Sequence, residues 1–176
     1  MTETDVRYPV GKFQMEKPVT AALRQKWIAE IADAPARLRA AVEGLSPQQL
    51  DTPYRDGGWT LRQVVHHVPD SHLNAYTRFK LALTEDQPTI KPYDEKRWSE
   101  LDDARTAPPE ISLALLDSLH HRWVLFLRSI QPADFARTFK HPEMGVLNLD
   151  TLLALYAWHG RHHVAHVTSL RTRRGW

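Results

Sequence analysis

Cysteine is absent from the 176 residues. That absence removes disulfides, thiolate nucleophiles, Cys-type zinc sites and iron–sulfur clusters. Glycine is scarce, at 7 residues against 12 prolines, so the turn-rich β architectures lack their turns. No apolar run approaches the roughly 20 residues of a membrane-spanning helix, and the stretch Met1 to Arg7 has no signal-peptide core. The expectation is a soluble, cytoplasmic protein. Nor is there an excess of one charge: 23 basic residues face 21 acidic ones for a net +2, which leaves no electrostatic footprint for nucleic acid. The basic tail of Arg171, Arg173 and Arg174 reads as a solvated C-terminus favourable to a helix dipole.

What is present is helix. At 42% hydrophobic and 25% charged residues, the length suits one domain over 1–176, with residues 1–19 as an N-terminal arm. Leu23, Trp27, Ile31, Leu38 and Val42 recur at helical spacing and predict a first helix over about 20–43, kinked or broken at Pro35. Ser46 to Gln49 offers an N-cap, a proline at the first helical position and a capping-box Gln. Thr60 with Gln63 opens a second long helix to about Leu83. Residues 84–109 hold four prolines and form a long connection with a helical turn near Ser99 to Asp103. A third helix spans about 110–130, a looser segment with Pro132, Pro142 and Gly145 follows, and the last helix spans about 149–171. Four amphipathic helices with one long crossover connection predict an all-α four-helix bundle.

The ten histidines are the chemical signal, because seven fall in two helices: His66, His67 and His72 on one, His159, His162, His163 and His166 on the other. Residues four apart stack on a helix face, so His159 with His163, or His162 with His166, offers two imidazoles to one metal ion. At about 100° per residue, the inward arc of the last helix holds Leu152, Tyr156, His159, His163, Val167 and Leu170. His166 falls at its edge, His162 to the side and Arg161 opposite. On the second helix His67 shares a polar stripe with Gln63, Asp70, Ser71, Asn74 and Arg78 beside an apolar face, whereas His66 falls off that stripe. Three neutral imidazoles from His67, His159 and His163 leave a fourth tetrahedral position open, the arrangement of a catalytic metal site.

The segment YRDGGWTLRQVVHHVPDSHLN (Tyr54 to Asn74), with WHGRHHVAHV (Trp158 to Val167), RYPVGKF (Arg7 to Phe13) and KPYDEKRWSEL (Lys91 to Leu101), resembles the DinB-like (damage-inducible) superfamily. Within it, the similarity is to the YfiT-type metal-dependent hydrolases, also described as bacillithiol transferases. The resemblance implies a four-helix bundle, a zinc or nickel ion on His67, His159 and His163, and a homodimer. Pro69 departs from the family pattern, in which Ala is expected, and puts the pose of His67 in question.

Two chemistries fit such a site. In a thiol S-transferase, a low-molecular-weight thiol takes the open position and attacks an electrophilic compound; Arg78 and Asn74 are candidates for orienting it, and Asp70 for taking a proton or holding a ligand histidine. In a hydrolase, metal-bound water takes the same position with Asp70 as general base. The non-enzymatic alternative is a helical module whose histidines fill the core, with Trp27, Trp59, Trp98 and Trp123 packing it or binding a partner. A ferritin-like di-iron site lacks its two Glu-x-x-His pairs. Tyr93 and Trp98 of the long connection are candidates to roof the pocket, and Trp158 for bundle packing or a subunit contact.

Overall fold

The structure, a computed structural model, describes residues 5–176; the first four positions of the expected arm lie outside the described residues. The helices are α1 (Ala21–Val42), α2 (Pro47–Leu50), α3 (Leu61–Thr84), α4 (Glu95–Ser99), α5 (Asp102–Thr106), α6 (Pro109–Ser129) and α7 (Leu149–Arg174). Strands β1 (Thr138–His141) and β2 (Gly145–Asn148) form a hairpin between α6 and α7. Helix α1 packs against α6 and α7, and α3 packs against the same two, so α1 and α3 stand diagonally across a four-helix bundle.

Local chemistry sets the ends. Thr20 and Asn148 accept hydrogen bonds from the first turns of α1 and α7, and Ser46 and Thr60 form complete capping boxes with Gln49 and Gln63. Such caps satisfy backbone donors that a helix cannot pair internally. Gly175 ends α7 at φ 69°, a left-handed conformation that glycine adopts without a Cβ penalty.

Of the kink or break expected at Pro35, the break does not occur, and α3 runs on past Pro69 as expected. Pro35 and Pro69 sit inside α1 and α3, yet both helices run through them. Each removes one backbone donor, while burial of the flanking apolar face keeps the helix continuous: Ile31, Ala34 and Leu38 around Pro35, and Val64, Val65, Val68 and Ala75 around Pro69. The long connection carries two short helices, α4 and α5, which pack back on α3, where a single helical turn was expected. The hairpin was not anticipated. Its strands are four residues each, and alternation at Phe139 and His141 (buried) against Lys140 (exposed) is too short to read against noise.

The apolar core is split in two. One half centres on Trp27, Ile31, Phe79, Trp123 and Leu152, the other on Leu38, Val64, Val68, Leu116 and Val167. Between them every long helix contributes to a polar layer: the Ile31 carbonyl on α1, His72 on α3, His120 on α6 and His159 on α7.

Candidate metal centre

Helix α7 presents His159 and His163 one turn apart, and α3 brings His67 against them. Nε2 of His67 lies 3.3 Å from Nε2 of His159. One ligand nitrogen from each of His67, His159 and His163 falls in a cluster no wider than 4.8 Å. Two nitrogens held tetrahedrally at about 2.0–2.1 Å from one zinc ion lie about 3.3–3.4 Å apart, so the His67–His159 edge already has the length a metal requires. Trp59 covers His67, with ring centroids 4.6 Å apart.

A second group, His162, His163 and His166, has the same compactness. Its nitrogens are committed differently. His166 Nε2 donates to the Arg7 carbonyl at 3.2 Å, and its Nδ1 lies 3.4 Å from Nδ1 of His163. The His162 ring stacks on Trp158 at 4.4 Å, and its buried Nδ1 has no partner among the described residues. His162 was expected at the side of α7; it is buried instead, with Trp158 against one face and Tyr8 of the arm nearby. His66 turns away, its ring held by Ser112 Oγ at 2.7 Å and the Ala107 carbonyl at 3.1 Å.

Electrostatics favours ligation. Burial pushes the His67 imidazole down to about 3, with nearby His162 and His166 adding to the fall. Burial likewise holds His159 and His163 well below the usual histidine range. All three therefore offer lone pairs at neutral pH, the form a metal binds.

These histidines line a cleft of about 440 Å³. Arg78, Tyr93 and Trp158 of the sequence candidates line it too. Asp70 and Asn74 do not. Burial, with Asp103 of α5 adding its charge, lifts the Asp70 carboxyl to about 6, and the Asn74 amide donates to the Asp70 carbonyl at 2.9 Å. The polar stripe on α3 is wider than the cleft, and these two stand outside its lining. Trp98 packs on Tyr93 at 4.7 Å without reaching the cleft. Sequence reasoning missed Tyr54, Arg55, Glu143 and Met144, and Arg7 and Tyr8 of the arm. For the arm the RYPVGKF segment was the available signal. Tyr156 and Ser71 add hydroxyls 3.3 Å apart, with the serine oxygen 3.5 Å from His159 Nε2.

Arg78 is buried and takes part in none of the ion pairs among the described residues. Its charge acts on the two groups beside it, opposing protonation of His141 and favouring ionisation of Tyr156, although burial is the larger influence on each.

Residues 21–167 match the model of the DinB superfamily. A Bacillus mycoides protein named "putative metal-dependent hydrolase" is 57% identical over 98% of this chain and 99% of its own length. Bacillus cereus proteins of the same name are 56% identical. The solved structure of YfiT from Bacillus subtilis, described as a "probable metal-dependent hydrolase with an unusual four-helix bundle topology", superposes with a TM-score of 0.95 at 51% identity, covering 97% of this chain and 98% of YfiT. The four-helix bundle protein TT2238 shares the fold at a TM-score of 0.55 and 23% identity, covering 87% of this chain and 99% of its own.

Proposed function

The chain belongs to the DinB superfamily, and we propose that it is a metal-dependent enzyme that joins an anionic, low-molecular-weight thiol to an electrophilic small molecule. Arg78 carries the choice of co-substrate: a buried guanidinium, free of ion pairs among the described residues and in the same cleft as three ligand-ready histidines, suits a carboxylate or phosphate brought from outside. His67, His159 and His163 are the ligands in this scheme. A divalent cation there, zinc or nickel, supplies Lewis acidity that favours thiolate over thiol at neutral pH. Arg78 seats the anionic end of the thiol, and Tyr93 and Trp59 wall the cleft against water. The sulfur must arrive with the co-substrate, since the chain has no cysteine. The thiol first gives its proton to solvent, and the sulfur lone pair of the thiolate then forms the new bond to carbon as the electrophile's leaving group departs with the electron pair of the broken bond. A cytoplasmic homodimer acting on small molecules is part of the same proposal.

Hydrolysis is the second reading, favoured by the names of the relatives. Water is then the nucleophile, and a carboxylate lining the cleft, Glu95 or Glu143, replaces Asp70 as the base. Cobalt-substituted protein separates the two. Because the chain has no sulfur ligand except methionine, a thiolate-to-cobalt charge-transfer band on adding a small thiol comes from that thiol alone. We expect the band, conjugate formation with a model electrophile, and loss of both in Arg78→Ala for carboxylate-bearing thiols. No band with any such thiol, together with ester or amide hydrolysis, would leave the hydrolase.

A further inference from the structure

We infer that His72, His120 and His166 are positioning residues that fix the tautomers of His159 and His163, so that each presents an unprotonated Nε2 to the cleft; this rests on the metal-site proposal above. The first chain starts on α1. A carbonyl oxygen only accepts, so His120 Nδ1, 2.6 Å from the Ile31 oxygen, carries the proton and donates. Pro35 makes room for this bond: it has no N–H, and the helical hydrogen bond that would occupy the Ile31 carbonyl is missing. The rings of His72 and His120 are buried against Trp123, which favours neutral imidazoles, and a neutral ring has one donor and one acceptor. His120 Nε2 therefore accepts from His72 Nδ1 at 2.8 Å. His72 Nε2 in turn accepts from His159 Nδ1 at 3.0 Å. That leaves the lone pair of His159 on Nε2, the atom 3.3 Å from His67 Nε2.

The second chain is shorter and obeys the same rule. His166 Nε2 donates to the Arg7 carbonyl, so its Nδ1 accepts from His163 Nδ1 at 3.4 Å. His163 then also keeps its lone pair on Nε2. Imidazole side chains in water favour the opposite tautomer, with the proton on Nε2, which would place an N–H where a ligand is needed. Partners of this kind around ligand histidines are worth roughly 10–100-fold in metal affinity.

Nitrogen-15 spectra of histidine-labelled, metal-stripped protein test the assignment without any variant. Protons on Nδ1 of His159 and His163 are expected; protons on Nε2, or a mixture, would overturn it. In chelator competition with zinc, His72→Phe and His166→Phe should each bind roughly 10–100-fold more weakly. His72→Gln and His166→Asn, which restore an acceptor, should recover most of the loss. Phenylalanine variants that bind like the parent, or amide variants no better than phenylalanine, would count against the inference. A parent protein with both Nδ1 protons in place that takes up no metal would sink the functional proposal and leave the fixed tautomers standing.

Discussion

The two proposed ligands on α7 are held in unlike ways. His159 is backed by His72 and His120, at 0% and 1% exposure, in a chain that ends on the backbone of α1. His163 is backed by His166 alone, anchored on the arm at Arg7, whose side chain is 64% exposed. Every link of the first chain is also a contact between long helices, so orienting that ligand and holding the core are one task. The second chain ties the site to a peripheral segment, so the orientation of His163 can change while the core stays intact.

Acid attacks both chains at once and should have the largest effect. Burial holds the imidazoles of His120 and His166 at about 4 and that of His67 at about 3, below the ~6.5 of an unfolded chain. As pH falls below that value the unfolded state takes up protons first, so stability is lost progressively toward pH 4, by about 1.4 kcal/mol per pH unit for each such ring. Urea midpoints of metal-free protein between pH 7 and pH 4 measure this. A flat profile would mean that the folded chains tolerate charge.

The contrast between the chains sharpens with single substitutions. His72→Phe strands a donor on His159 and an acceptor on His120 in the dry core, and should cost about 2–4 kcal/mol in denaturant unfolding. His166→Phe keeps an aromatic ring against Tyr54, now 4.1 Å from the His166 centroid, and should cost about 1 kcal/mol. Equal losses would erase the distinction drawn above. Deleting residues 1–8 removes the Arg7 anchor; zinc affinity should fall roughly tenfold with the nitrogen-15 signature of His159 unchanged. Pro35→Ala should have the smallest effect. Its new N–H competes for the Ile31 carbonyl, but that oxygen has two lone pairs, so affinity should drop less than about tenfold.

Much of this was legible in the chain because the relevant interactions are local. Capping boxes at Ser46 and Thr60 span three residues, and the facing of His159 and His163 follows from helical geometry. Pro35 left a break open because a local rule about lost donors takes no account of packing that only the assembled bundle supplies. Asp70 and Asn74 share a stripe with His67, yet a stripe does not say where a cleft ends; α5 and the Asp70 carbonyl decide that. His72 and His120 were invisible as partners, being 48 residues apart in sequence and without a motif to join them.

The polar layer between the two half-cores also acts as a ruler. Apolar contacts in the half-cores are non-directional, so they specify the register of one helix against another less sharply than hydrogen bonds do. The bonds Ile31 to His120, His120 to His72 and His72 to His159 tolerate no shift by a turn of about 5.4 Å, and they run from α1 through α6 and α3 to α7. One alignment of the four helices satisfies them all, and any other leaves imidazole nitrogens stranded in the dark. The bundle thus measures its own register against the atoms that serve its cleft, and a chain folded out of step has no site.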